Sequence, residues 1–328
     1  MAARAAATVW GPTSMSDKTP SGAARITSGG GGPRPISGSA GKRIPVRKTY
    51  KLYVGGAFPR SESGRTYEVT DSKGHFLANA AMGSRKDARD AVVAARKAFH
   101  GWSAATAYNR GQVLYRVAEL MEGRRAQLVE EVTAGEGLTA RRADAVVDAA
   151  IDRWVWYAGW SDKVSAVHGS ANPVAGPYFD FSVPEPTGVV AVLAPQKSSL
   201  LGLVSVIAPA IVTGNTVVAL ASEDAPLPAI TLSEVLATSD VPGGVVNLLT
   251  GRTAEVAPWL ASHMDVNAID LVGAAQSDLV ALEVAAADNL KRVLRADVAR
   301  DADWTRTPGL ERLLGYLETK TVWHPIGV

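Results

Sequence analysis

The residues able to do chemistry are few and isolated. The five histidines, His75, His100, His168, His263 and His324, stand singly along 328 residues, none at the spacing by which two imidazoles share a metal ion. No metal is expected. Cysteine is absent, which excludes disulfides, thiolate metal sites and thiol nucleophiles together. No Gly-x-Ser-x-Gly turn presents a serine nucleophile. Residues 37–42, SGSAGK, look faintly like a phosphate loop, but Ile36 stands where its first glycine belongs and no Ser or Thr follows Lys42. That reading is rejected. Any site must therefore be assembled from single polar residues that the fold brings together.

The elements that would position them are legible as periodicity. Short apolar runs at 189–194, 216–221, 245–249, 268–272 and 292–297 alternate with helix-length segments at 198–213, 228–238, 253–262 and 276–288. β-branched runs without polar alternation read as strands covered on both faces, and five of them with four crossovers make a doubly wound parallel sheet. Upstream, residues 50–58 read as a strand entering a Gly-Gly turn, and 67–81 as further extended chain. Helices are expected at 84–99, 109–122, 124–133 and 140–164. The first opens on Ser84 with Asp87 three residues on, the spacing of a capping box. Trp154, Trp156 and Trp160 read as core or subunit contacts rather than ligand-stacking rings. Past 298 the pattern predicts a helix at 309–316 and a strand at 320–324.

Composition sets the outer bounds. Residues 1–48 hold eight Lys/Arg against one acid, Asp17, amid Gly, Ser and Pro, and too little apolar surface to fold. Such a tail also fits organelle transit peptides, but it lacks helical apolar periodicity, so a solvated tail on a cytoplasmic protein is expected. The chain as a whole has 47% hydrophobic and 20% charged residues and a net charge of +2, which gives no reason to invoke nucleic acid or a membrane. No run approaches the ~20 apolar residues of a membrane span.

Residues 185–223, EPTGVVAVLAPQKSSLLGLVSVIAPAIVTGNTVVALASE, carry a resemblance. They resemble the start of the cofactor domain in the aldehyde dehydrogenase superfamily, where one strand enters Pro-Trp-Asn and the next ends in Lys-Pro-x-Glu. The phrases APAIVTGNTVV, PGGVVNLLTG, HMDVNAIDLVG and GYLETKTVWHP extend the similarity over most of 50–298 and to the terminal strand. The resemblance implies an α/β fold: a Rossmann-like sheet at 187–299, an N-terminal helical segment with oligomerisation strands at 49–186, and a C-terminal helix and oligomerisation strand at 300–328. It also explains Tyr316 and Lys320, whose Tyr-x-x-x-Lys spacing is that of short-chain dehydrogenases. That alternative needs a glycine-rich first turn near the N-terminus, and none exists.

Carried over position by position, the resemblance implies a site with most of its chemistry replaced. The oxyanion donor of Pro-Trp-Asn falls on Lys197, after Pro195 and Gln196. An ammonium there can stabilise an oxyanion, although a solvated lysine is the plainer reading. The lysine that meets the adenosine ribose falls on Leu220. Its neighbouring acid survives as Glu223, able to bond a ribose hydroxyl or simply to be a solvated carboxylate. The Gly-Ser pair that opens the fourth crossover helix falls on Gly273 and Ala274, whose backbone N–H groups could face a phosphate. Thr253 and Ala257 replace glycines, and Ala296 stands at the general base, with Asp297 pointing to the opposite face. NAD or NADP binding is expected to be weak.

Few residues follow Ala296, so the cysteine-bearing catalytic domain is expected to be missing and the terminal strand joined almost directly to the cofactor domain. The leading expectation is a catalytically inactive subunit in a hetero-oligomer with a full-length aldehyde dehydrogenase, its terminal strand unpaired until it meets the partner; the plainer alternative is that the strand folds back on the chain's own sheet. The alternatives are an NAD(P)-dependent oxidoreductase acting on aldehydes, a weak dinucleotide-binding module, and a decaying gene product.

Overall fold

The computed structural model describes residues 47–295 and 303–327; the expected tail lies outside them except for Arg47 and Lys48. The described residues begin with a three-stranded sheet of β1 (Thr49–Tyr50), β2 (Thr66–Thr70) and β3 (Phe76–Ala81). Helices α1 (Arg85–Ala104), α2 (Ala107–Gly123), α3 (Arg125–Glu136), α4 (Ala140–Trp160) and α5 (Val164–His168) follow. Next come β4 (Ser170–Asn172) and β5 (Tyr178–Pro186). Then β6 (Val189–Leu193), α6 (Leu201–Val212), β7 (Thr216–Leu220), α7 (Leu227–Thr238), β8 (Val246–Leu249), α8 (Thr253–Ser262), β9 (Ala268–Asp270), α9 (Leu279–Ala287) and β10 (Arg292–Leu294) alternate as expected. The chain closes on α10 (Glu311–Gly315) and β11 (Leu317–Pro325).

The five crossover strands form one parallel sheet in the order β10-β9-β6-β7-β8. Every residue of β6 and β7 is buried. Side chains alternate across a strand, so one set from β6 and β7, Val190, Val192, Val217 and Ala219, packs with α2, α3, α4, α6 and α7. The other set, Val189, Ala191, Leu193, Val218 and Leu220, packs with α1, α8 and α9. Leu220, at the lost ribose contact, is thus wholly interior.

Most differences from the sequence reading have local causes. The expected strand at 50–58 shrinks to Thr49–Tyr50 plus isolated bridges at Tyr53 and Val54, because Gly55 and Gly56 turn the chain at φ +62° and +83°. The helix expected at 140–164 breaks into α4 and α5. The capping box forms: Ser84 accepts from the Asp87 N–H, and the Asp87 carboxylate accepts from the Ser84 N–H at 2.8 Å. Trp154 is core, and Trp156 and Trp160 pack half-buried against it.

The largest correction concerns the terminal strand. The leading expectation left it unpaired within its own chain, but β11 takes the alternative and lies antiparallel to β5 along its whole length, from Leu317 opposite Pro186 to Pro325 opposite Tyr178. The cause lies just before it. The Tyr316 carbonyl accepts from Asn215 Nδ2 (2.9 Å) and Thr187 Oγ1 (2.9 Å), and the Tyr316 hydroxyl donates to Asp270 Oδ2 at 2.5 Å. Tyr316 and Asp270 are fully buried, and the Arg312 guanidinium pairs with the same carboxylate. These contacts deliver the chain beside β5, where the ladder satisfies one edge of β11. In the order β11-β5-β4 its other edge has no neighbour among the described residues.

A buried acid joins α3 to α7. Glu131 Oε1 accepts from Gln127 Nε2 (2.9 Å) and Thr231 Oγ1 (2.7 Å), while its Oε2 is buried without a partner. Burial raises its pKa from the usual 4.5 to about 7, against the smaller opposing pull of those hydrogen bonds. The unfolded chain ionises first as pH rises, so stability is whole below about pH 4.5 and falls until the folded-state pKa is passed. Urea unfolding should show the parent losing roughly 2–3 kcal/mol between pH 5 and 8 relative to Glu131→Gln. Parallel pH profiles of the two proteins would disprove the assignment.

Candidate functional site

In an open parallel sheet, ligands bind beyond the carboxyl ends of strands where the strand order reverses. Here β6 is joined through α6 to β7 on one side, while β9 flanks it on the other, so the reversal lies between β6 and β9. The loops after these two strands part to leave a groove of about 400 Å3 lined by Pro195, Gln196, Lys197, Gly273, Ala274 and Trp304, among others. Four of the five expected site residues, Pro195, Lys197, Gly273 and Ala274, therefore share one groove. Glu223 lies outside its lining, one loop away.

The groove's walls are built by polar contacts within the chain. Pro195 ends β6, and Gln196 then ties two loops together. Its Nε2 donates to Ala194 O (2.8 Å), its Oε1 accepts from the Glu223 N–H (2.9 Å), and its carbonyl accepts from Ser222 Oγ (2.8 Å). Beyond the loop, Glu136 Oε1 accepts from both the N–H and the hydroxyl of Ser199 at 2.7 Å, placing a carboxylate just before α6. The sequence reading missed both structural roles. Gln196 stands out there only as a replaced tryptophan, and nothing local links Glu136 to a residue 63 positions away.

Each expected site residue has a defined state. Lys197 is exposed and forms no ion pair among the described residues, as a solvated lysine does. Gly273 is required by space: a Cβ there would lie 1.9 Å from Ala194 O. Its N–H donates to Leu193 O (2.9 Å), and the Ala274 N–H donates to Leu271 O (3.0 Å). The expectation that this pair opens a helix is corrected, because residues 273–278 form turns and α9 begins only at Leu279. The backbone needs those N–H groups to close the turn after β9, so they do not face the groove as donors.

Glu223 is also committed. Its Oε1 accepts from Arg252 Nη1 at 2.6 Å and its Oε2 from the Thr253 N–H at 2.9 Å, so the carboxylate caps α8. Thr253 Oγ1 is buried beside this cap without a partner, and Ala257 is buried in the core. Ala296 and Asp297 lie outside the described residues. The groups expected to hold a dinucleotide, two backbone donors and one carboxylate, are thus spent on partners within the protein. Among the described residues no group of three His, Asp or Glu side chains gathers to hold a metal, and no helix is long and apolar enough to cross a membrane.

Comparison with known proteins places this geometry. The sequence profile described as "Aldehyde dehydrogenase family" matches residues 58–296. Aldehyde dehydrogenase family 2 member B4, mitochondrial, of Arabidopsis thaliana is 34% identical over 247 residues, covering 74% of this chain and 45% of the relative. Retinal dehydrogenase 2 of Homo sapiens is 34% identical over 251 residues, covering 75% and 48%. The chain spans about half the length of the curated relatives it matches. Among solved structures, HpcC of Thermus thermophilus superposes with a TM-score of 0.72 at 31% identity, over 76% of this chain and 48% of that one. Betaine aldehyde dehydrogenase of Staphylococcus aureus, solved in complex with NAD+, gives 0.70 at 26%, over 75% and 49%.

The geometry assigns Glu223 a structural task. Glu223→Ala should remove the cap of α8 and lower stability by about 1 kcal/mol, read from denaturant midpoints. A variant as stable as the parent would show that the cap contributes nothing.

Proposed function

This chain belongs to the aldehyde dehydrogenase family, and we propose that it acts there without catalysis of its own, as a partner or regulatory subunit bound to a full-length aldehyde dehydrogenase. The observation that carries this reading is the connection from β10 to β11. Residues 295–316 join the last strand of the parallel sheet to the terminal strand. A domain bearing a catalytic cysteine takes roughly 100 residues and does not fit in that connection. The sequence also has no cysteine to attack a carbonyl, and alanine stands at the base position, Ala296.

The partner role draws on the sheet of β4, β5 and β11. Its outer strand has one edge unpaired among the described residues, and Tyr178, Phe179 and Trp323 are 42%, 50% and 58% exposed. An open edge beside exposed aromatic rings is an aggregation hazard unless another chain covers it. Addition of a partner's strand along β11 would supply the missing backbone bonds and bury those rings. A cytoplasmic location belongs to this proposal.

A second reading, an NAD(P)-linked oxidoreductase acting on aldehydes, draws on the groove at the strand-order reversal with the free ammonium of Lys197 beside it. Weak dinucleotide binding, no tighter than the high-micromolar range, is compatible with either reading.

Purified protein should form no NAD(P)H from short aldehydes above the buffer rate. Turnover would overturn the non-catalytic reading in favour of the second. Co-expressed with a full-length aldehyde dehydrogenase from its own cell, the chain should co-purify, and deletion of 318–328 should abolish this while the parallel sheet stays folded. A chain that ignores every such relative, with or without those residues, would rule out the subunit role.

A further inference from the structure

Lys51 and Arg60 set two positive charges against each other. In the hairpin that turns at Gly55 and Gly56, Val54 and Ala57 exchange both backbone hydrogen bonds (2.9 and 3.1 Å), and the Leu52 N–H donates to Pro59 O at 3.1 Å. The Tyr53 and Phe58 rings meet across it with centroids 5.2 Å apart. That register places Lys51 opposite Arg60. Like charges directly opposite on paired chains repel, yet neither side chain has an ion pair or a hydrogen bond among the described residues. Both line a pocket of about 240 Å3, open to solvent and separate from the groove between β6 and β9. It lies between β1, the turn at 60–65 and the start of β2, and Arg65 lines it too.

No acid lines this pocket. The carboxylates around it are engaged elsewhere. Glu255 pairs with Arg65 at 2.7 Å, Glu62 with Lys86 at 3.3 Å and Glu68 with Arg47 at 3.8 Å. Buried Asp87 accepts from Ser61 Oγ (2.7 Å), the Glu62 N–H (3.1 Å) and the Ser84 N–H (2.8 Å). Against its single charge stands Lys48, which lies 4.1 Å from the Tyr50 ring centroid and has no ion pair among the described residues. The charges of Lys51 and Arg60 therefore remain unmatched. The turn that carries Arg60 and Arg65 is fixed at both ends: the Gly64 N–H donates to Ser61 O and the Met82 N–H to Arg65 O, each at 2.9 Å. Thr49, Tyr50 and Thr66 bring hydroxyl groups to the lining that have no hydrogen-bond partner among the described residues.

We propose that this pocket binds a phosphoryl dianion, free or at the head of a small phosphate monoester, between the Lys51 ammonium and the Arg60 and Arg65 guanidiniums. A phosphate ester carries about −1.5 to −2 charge at pH 7 and three acceptor oxygens, so one group offsets both unmatched cations. Guanidinium forks give such oxygens pairs of parallel hydrogen bonds. A monocarboxylate supplies half the charge, and a dicarboxylate splits its charge between two centres. The volume equals the liquid share of about eight waters, room for the phosphoryl group and a body of a few atoms. Pockets that enclose a drug-sized ligand run to roughly 300–1,000 Å3, so a dinucleotide does not fit.

The test is calorimetric titration of the full chain with glycerol 3-phosphate and with inorganic phosphate, against sodium chloride, acetate and succinate at equal ionic strength. Both phosphates should bind saturably with a Kd of about 1 mM or tighter, and the controls should not. A tighter Kd for the ester assigns part of the pocket to its body; equal values assign the site to the phosphoryl group alone. Lys51→Gln and Arg60→Gln should each weaken binding about tenfold, the scale of a hydrogen bond to a charged group. Lys97→Gln, which removes an exposed cation of α1 outside the pocket, should bind like the parent. Neither Lys51 nor Arg60 has a partner to lose, and if one variant fails to fold the other decides the matter. Phosphate indistinguishable from chloride, or acetate or succinate binding as tightly as phosphate, would overturn the proposal. So would Lys51→Gln and Arg60→Gln binding like the parent, or an equal loss in Lys97→Gln, which would reduce the effect to net charge.

Discussion

Burial of β6 and β7 on both faces is the constraint from which the rest of the molecule follows. All ten residues of the two strands are withdrawn from water, and each large aliphatic side chain among them contributes about 1.5–3 kcal/mol by burial. A strand covered on both faces needs helices on both faces. The crossover helices supply only part of that cover, so α1 completes one face and α2, α3 and α4 the other. The same residues that make the sheet hydrophobic therefore recruit the N-terminal segment onto it. The two cannot be separated without exposing a core.

Two carboxylates from elsewhere in the chain then occupy the positive ends of crossover helices. Glu136 accepts from Ser199 just before α6, and Glu223 accepts from Thr253 at the first residue of α8. In a nucleotide-binding sheet those ends are where phosphate charge is favourable. Here the charge is internal. Together with the turn that consumes the Gly273 and Ala274 N–H groups, this makes the carboxyl edge of the sheet satisfied by itself. The groove survives as a shape, while most of the polar groups expected to give it affinity bond inward.

The segment after β10 is held by a different kind of contact. Asp270 is the only charged residue in the three-residue strand β9 and is fully buried. Tyr316 and Arg312, both from this later segment, share its Oδ2. A lone buried carboxylate would be prohibitive in that position. The pair fixes where β11 begins, and the β11–β5 ladder follows from it. The same segment lays the Trp304 and Arg306 carbonyls against Arg153.

The sequence by itself determined the order of elements in the sheet domain, the capping box at Ser84 and Asp87, the interior position of Leu220 and the family resemblance. Apolar periodicity and cap spacing are local, so a contiguous stretch such as 185–223 is enough to express them. Only the tertiary structure decided which polar groups remain available. Lys197 is left in solvent, Glu223 is spent on Arg252 and Thr253, and the turn after Gly273 postpones α9 by several residues. It also decided that β11 pairs within its own chain and that Arg153 meets the carbonyls of Trp304 and Arg306. The long-range outcomes depend on which partner lies nearest in space, over separations from 29 residues for Glu223 and Arg252 to 151 for Arg153 and Trp304. Side-chain satisfaction is settled by that geometry, and no pattern along the chain encodes it.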